Sequence, residues 1–207
     1  MMGRVSPKPA SPSPDGPKPG KSNAVRIIGG AWRGRRVGFP DVPGLRPTPD
    51  RVRETLFNWL QHSTVGARCL DLVAGSGALG LEALSRGARE AVFVDPSPAA
   101  MRSLRAELTR LRGSDRARVL DMGAARFLGT PGEPFDLVFL DPPFGQGALE
   151  EYVPLLDSGH WVENGTLVYL ECARATGVPP LPAHWELLKS KSAGEVGYHL
   201  ARVNPRP

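Results

Sequence analysis

The sequence predicts an α/β fold: a doubly wound, mostly parallel seven-stranded sheet with an antiparallel C-terminal hairpin and a small N-terminal β-hairpin extension. Three observations predict it. Between residues 69 and 171, short apolar runs of strand length alternate with segments of helical period. The first of those strands enters a glycine-rich turn from which a helix departs. Two β-prone runs, 185–190 and 196–203, meet around Ala193-Gly194, as the arms of an antiparallel hairpin do.

Composition narrows the class. The 207 residues suffice for one domain with a full core and an appendage. No apolar run approaches the ~20 residues that span a bilayer, and the N-terminus carries charge and proline without an apolar segment. No membrane association is therefore expected, and the expected location is cytoplasmic. Cys69 and Cys172 lie in apolar runs with no second Cys or His at ligand spacing, so they read as buried thiols of a reducing compartment, and no metal is expected. The net charge of +5 is uneven: residues 1–53 hold eleven Lys and Arg against Asp15, Asp41 and Asp50, a net of +8. The rest holds fifteen basic and eighteen acidic residues, a net of −3. A basic segment beside a nearly neutral domain suits a polyanionic partner, although a solvated tail explains its first part equally well.

Residues 1–22, with six prolines among Ser, Gly, Lys and Arg, read as a disordered basic tail. Residues 23–47 form an Arg-rich extension: Val25 to Ile28 and Arg35 to Val37 are β-prone runs around glycines, readable as a hairpin too small to fold alone. Arg26, Trp32, Arg33, Arg35, Arg36 and Arg46 suit phosphate contact with base stacking, against the alternative of an edge strand protected by charge. Thr48 then reads as the N-cap of a helix with Pro49 in its first turn, and Val52, Leu56, Trp59 and Leu60 as its buried face. Arg51 and Arg53 fall off that stripe and are expected to face solvent, substrate or an acidic neighbour.

The glycine turn is Asp71-Leu72-Val73-Ala74-Gly75-Ser76-Gly77, and with Gly80 it satisfies G-x-G-x-x-G, a weak signal shared by several nucleoside sites. Asp71, four residues before the first glycine, would repel a pyrophosphate but help hold a cationic amino-acid ligand. That favours S-adenosylmethionine over a dinucleotide. A second strand ends at Asp95, placed to accept from ribose hydroxyls. A helix over 98–112 follows, with Met101, Leu104, Leu108 and Leu111 buried and Gly113 as its stop. The third strand, 117–120, leads into Asp121-Met122-Gly123, where the adenine edge of such a ligand sits.

The fourth strand ends in Asp141-Pro142-Pro143-Phe144. Two prolines cannot donate to a ladder, so the strand stops there and leaves the four residues at its C-terminal edge, where open α/β sheets bind ligands. A carboxylate and the Pro142 carbonyl can accept from an amino group while Phe144 stacks on the ring that carries it. On this segment alone, an ordinary strand before a Pro-Pro turn is an equal alternative. A helix over 148–156 and a fifth strand over 165–171 complete the alternation.

These residues together resemble the class I S-adenosylmethionine methyltransferases, with a Rossmann-like fold, and specifically the bacterial RsmD family of 16S ribosomal RNA guanine-N2 methyltransferases. The resemblance runs from Arg26 to Val203, through Gly29-Gly30-Ala31-Trp32-Arg33-Gly34, Gly44-Leu45-Arg46-Pro47-Thr48, Asp50 to Asn58, the glycine loop and Asp141-Pro142-Pro143-Phe144. The last two motifs occur across many amino-methylating enzymes; the Arg-rich block is more specific. The resemblance implies a methyltransferase domain over 48–207 and methyl transfer to the N2 amine of a guanine in 16S rRNA of the small ribosomal subunit. It implies catalytic roles for Asp141, Pro142, Pro143 and Phe144, and cofactor contacts at Asp71, Ala74, Gly75, Ser76, Gly77, Asp95, Asp121 and Gly123. RNA contacts fall on Arg26, Trp32, Arg33, Arg35, Arg36, Arg46, Arg51 and Arg53. The chain departs from the family at Asp95, commonly Glu, at Ser97, often an acid, and at Gly123, usually Asn or Asp. Two competing readings are an adenine-N6 methyltransferase of DNA and a catalytically silent RNA-binding assembly factor. The Arg-rich block and the intact motifs argue against them in turn.

Overall fold

The computed structural model describes residues 23–42 and 47–206. The basic tail and Arg46 lie outside the described residues. Among the described residues, nine strands and five helices run in the order β1 (Asn23–Arg26), β2 (Arg36–Phe39), α1 (Asp50–Trp59), β3 (Arg68–Asp71), α2 (Ala78–Ser85), β4 (Glu90–Asp95) and α3 (Pro98–Leu111). They continue as β5 (Ala117–Asp121), α4 (Ala124–Leu128), β6 (Leu137–Leu140), α5 (Ala148–Ser158), β7 (Leu167–Ala173), β8 (Trp185–Ala193) and β9 (Val196–Val203). A 3-10 turn, Gly30–Trp32, joins β1 to β2.

The main sheet has seven strands in the order β5-β4-β3-β6-β7-β9-β8. β5 through β7 pair in parallel, and β9 pairs antiparallel with both β7 and β8. The chain winds outward from β3 to β5, then returns to lay β6 against the other side of β3. That reversal opens a crevice at the carboxyl ends of β3 and β6.

Period-two alternation decides which side chain meets which layer. Cys69, Ala91, Phe93, Leu137, Phe139 and Tyr169 face one core with α1, α2 and α3, while Leu70, Val92, Val94, Val138, Leu140 and Leu170 face a second core with α4 and α5. The helix α4, five residues after Gly123, is too short to show a helical period in the sequence. The edge strand β8 exposes Glu186, Lys189 and Lys191 and carries an irregularity between Leu187 and Lys189, two devices that discourage pairing with another chain.

Three local expectations change. Thr48 caps nothing; Pro49 holds the N-cap position without a side-chain bond, and the Thr48 hydroxyl points to the sheet edge instead. The left-handed residue ending α3 is Arg112 (φ 57°), not Gly113. Gly113 is needed for space, since a Cβ there would lie 2.6 Å from the Trp32 ring. On α1, Phe57 joins the buried face and packs on Phe139 at 6.0 Å, whereas Trp59 is half-buried and stacks on Tyr198.

The N-terminal extension shares the main core. Val25, Ile27, Trp32, Val37 and Phe39 pack in the same cluster as α2 and α3. At Gly30, with φ of 75°, a Cβ would meet the Ser85 carbonyl oxygen at 1.8 Å, so the chain can approach α2 this closely only through glycine. All eight residues of α2 are buried, Glu82 among them. Its carboxylate accepts from the Ile28 and Gly29 amides, both at 2.8 Å, from Arg86 Nε at 2.7 Å and from Arg53 Nη1 at 3.4 Å. Arg53, also without solvent exposure, donates onward to the carbonyls of Arg26 at 2.8 Å and Thr48 at 3.1 Å. Arg53 is therefore unavailable to RNA: its position off the apolar stripe points it at a buried acid.

Removing one partner of a buried pair leaves the other charge stranded. Arg53→Met and Glu82→Leu should each lower the unfolding free energy by about 3 kcal/mol or more, and the double variant by clearly less than their sum, as denaturant titration measures. A single-variant loss below about 1 kcal/mol would contradict this role of the pair.

Candidate active site at the carboxyl edge of the sheet

Each parallel strand reaches the same edge of the sheet with an acid: Asp71 ends β3, Asp95 ends β4, Asp121 ends β5, Asp141 follows β6, and Glu171 lies in β7 one residue past Leu170. Register sets them side by side, Asp95 opposite Asp121 and Leu140 opposite Leu170 just before Asp141 and Glu171. The crevice is thus lined by carboxylates, which favours ligands that bring positive charge or hydrogen-bond donors.

The glycine loop is shaped by three different demands. Gly75 and Gly77 take φ of 52° and 75°, in the left-handed region, and Gly77 holds the N-cap position of α2. Gly80 has a helical backbone but no room: a Cβ there would lie 2.3 Å from Phe93, so it lets α2 sit close on the sheet. Ala74 is tied to β4 by its amide, which donates to the Val94 carbonyl at 2.9 Å. Ser76, beside it, is buried. Asp95 fastens the loop from the next strand, accepting from the Gly75 amide at 2.9 Å and from the Ser97 amide at 2.8 Å. Each carboxylate oxygen keeps a second lone pair, so hydroxyls can still bind there. Ser97 earns its place as the N-cap of α3, where its Oγ accepts from the Ala100 amide.

Asp71 is buried and accepts from the Gly80 amide at 2.9 Å. Burial raises its pKa to about 7; the Gly80 bond opposes the rise and the charges of Asp141 and Asp95 add to it. A cation beside this carboxyl would relieve that strain. Asp121 is differently placed: it is exposed and bound by Arg105, whose Nη2 donates to Oδ1 at 2.8 Å. Gly123 opens α4, and nothing lies within 4 Å of where its Cβ would stand.

Asp141 is partly buried, Pro142 buried, and Pro143 and Phe144 exposed. Phe144 is 43% exposed, one of the few large apolar side chains left in solvent, and is free to receive a planar ring. Asp141 Oδ2 accepts from the Thr48 hydroxyl at 2.8 Å. Glu171 is buried at 2% exposure, and its Oε1 accepts from the Tyr169 hydroxyl at 2.8 Å. Thr48 and Glu171 are functional candidates that the sequence reading passed over. Glu171 ends an apolar run in an acid just as Asp95 and Asp141 do, so its signal was present. That of Thr48 was masked by its resemblance to a helix cap.

Of the arginines, Arg26, Arg33, Arg35, Arg36 and Arg51 are exposed. Arg26 and Arg33 border a groove of about 220 Å³ shared with Asp50 and Glu54, and Arg26 pairs with Asp50 at 3.3 Å. Trp32 is 7% exposed, its ring under the Arg116 guanidinium at 5.6 Å. It anchors the extension to the core and cannot stack on a base. Among the described residues, no group of three or more His, Cys, Asp or Glu could hold a metal ion, and no helix is long and apolar enough to cross a membrane.

The family model described as conserved hypothetical protein 95 matches residues 25–202. Ribosomal RNA small subunit methyltransferase D of Escherichia coli K12 is 50% identical over 179 residues, which are 86% of this chain and 90% of that protein. Its namesake in Haemophilus influenzae Rd is 42% identical over 187 residues, 88% of this chain and 95% of the relative. The solved structure of the Escherichia coli protein yhhF, described as a candidate methyltransferase, superposes with a TM-score of 0.84 at 45% identity, covering 89% of this chain and all of that one.

Proposed function

This chain belongs to the family of conserved hypothetical protein 95, which takes in the small-subunit ribosomal RNA methyltransferases D, and we propose that it methylates the exocyclic N2 amine of a guanine in 16S rRNA. It is a methyltransferase, with S-adenosylmethionine as the methyl donor and the cytoplasm as its place of action. The observation that carries the reading is Asp141-Pro142-Pro143-Phe144 at the sheet's switch point, beside a glycine loop fastened by Asp95.

The residues present fit that cofactor. Asp71 offers a carboxyl whose ionisation a neighbouring cation would favour, Ala74 to Gly77 offer a turn with left-handed glycines, and Asp95 keeps lone pairs for ribose hydroxyls. Asp121 and the open backbone at Gly123 flank the place for the adenine. When bound, the cofactor supplies a methyl group on a sulfonium, an electrophile that needs no metal.

Guanine N2 is a poor nucleophile because its lone pair is delocalised into the ring. Asp141 and the Pro142 carbonyl accept its two hydrogens, which orients the amine and favours its pyramidal form, while Phe144 stacks on the base. So held, the amine would have its lone pair free to take that methyl group, and it would then shed one proton. The Asp141 carboxylate, whose pKa burial raises, is the base within reach. Arg33, Arg35, Arg36 and Arg51 are exposed for phosphate contact.

Asp141→Ala should abolish transfer while leaving cofactor affinity within about threefold, read by calorimetry beside turnover. Near-normal turnover of this variant would sink the reading. Replacing Arg33, Arg35 and Arg36 together should lower the slope of log affinity against log salt by about 2, since each phosphate contact on single strands contributes ~0.7. An unchanged slope would remove these residues from the RNA interface.

A further inference from the structure

The Asp141 carboxylate has a second acid beside it that the reaction as described leaves unused. In the parallel pair β6-β7, Leu140 stands opposite Leu170, so Asp141 and Glu171 are the next residues along adjacent strands and project to the same face. Three further groups close around them. Thr48 donates to Asp141 from the loop before α1, Tyr169 donates to Glu171 from two residues back on β7, and Tyr198 stands opposite Glu171 on β9. On the other side the charge of Asp141 raises Asp71 of β3, and Asp141 and Tyr169 are the groups whose interactions bear on Glu171 most strongly. No lysine or arginine is among the described groups acting on Glu171, and Arg53, which grips the Thr48 carbonyl, is taken up by Glu82, Asp50 and two carbonyls.

Two carboxyls this close, without a cation, cannot both ionise; one proton stays with the pair. The deeper group keeps it. Each accepts from one hydroxyl, so depth decides: Glu171 has 2% of its surface in solvent, whereas Asp141 is only partly buried. We propose that Glu171 is a positioning residue: it stays protonated in the resting enzyme and donates its carboxyl proton to Asp141, so that with Thr48 it fixes the carboxylate that receives the acceptor amine. Burial pushes both groups above the usual carboxylate range, Glu171 further, and the bond between them raises Glu171 while lowering Asp141.

The assignment rests on the reading of Asp141 as the acceptor-amine site, and two readouts separate the two. The first needs no substrate. In the free protein at pH 7, the infrared spectrum of wild type minus Glu171→Gln should contain the carbonyl band of one protonated carboxyl, lost as pH rises through about 8. The second is the pH profile of kcat. Deprotonating Glu171 removes a donor from Asp141 and sets a second negative charge against it, so wild-type kcat should fall on the alkaline side. Glu171→Gln, which keeps a donor that does not titrate, should hold at least a third of the wild-type rate and lose that alkaline fall. Glu171→Leu should lower kcat tenfold or more with cofactor affinity unchanged, and Thr48→Val should lower it less, with Thr48→Ser restoring it. A difference spectrum without the band, or a Glu171→Gln profile that falls as wild type does, overturns the assignment. If Asp141→Ala is inactive in the same series, the acceptor reading survives that loss; if Asp141→Ala is active, both fall.

Discussion

Glu82 has no solvent exposure and sits on a helix apolar on every side, a position an acid can hold only while each of its lone pairs is occupied. Its four donors come from three parts of the chain: the backbone at Ile28 and Gly29, Arg86 one turn on, and Arg53 of α1. This carboxylate therefore holds the N-terminal extension, α1 and α2 in one arrangement. Arg53 passes the constraint on by gripping the Thr48 carbonyl, and the Thr48 hydroxyl reaches Asp141. An unbroken series of polar contacts runs from the Arg-rich extension to the acid at the switch point.

That continuity explains why the Arg-rich extension can be small. A two-stranded ribbon has too little core to fix its own position. Here Trp32, Val25, Ile27, Val37 and Phe39 supply the burial, Glu82 and Ser85 supply acceptors for its amides, and glycines at 29 and 30 allow contact with α2. The exposed arginines are thereby held in a fixed relation to Phe144 and Asp141, some of them through the helix that carries Thr48 at its entrance.

What could be read from the sequence was what period and punctuation encode. The alternation of the strands, the glycine loop, the proline stop after Asp141 and the closing hairpin all gave the sheet, because each is a local signal. The partners of charged residues are not local. Arg53 and Trp32 were expected to meet RNA because an arginine off an apolar stripe, or a tryptophan among arginines, reads as exposed; both are buried by elements distant in sequence. Thr48 looked like a cap since Thr-Pro-Asp precedes many helices, and only the fold brings Asp141, ninety-three residues away, to its hydroxyl. Glu82 had a faint signal, a lone acid in an apolar helix, which demands a buried partner without saying which. Glu171 was legible as a strand-terminal acid, yet its pairing with Asp141 needs the order of β6 and β7.

The sheet edge combines five acids, and each is held by different partners: Asp95 by two amides, Asp121 by Arg105, Asp71 by the amide of Gly80, Glu171 by the Tyr169 hydroxyl, and Asp141 by the Thr48 hydroxyl with Glu171 alongside. The central claim, that this edge delivers a methyl group to a guanine amine of ribosomal RNA, is tested most directly by where the label goes. The protein would be incubated with methyl-labelled S-adenosylmethionine and, in parallel, small ribosomal subunits, naked 16S rRNA and duplex DNA, and each product digested to nucleosides. The account predicts label in N2-methylguanosine from the ribosomal RNA and none in DNA; label in N6-methyladenine of DNA, or no incorporation into any of the three, would contradict it.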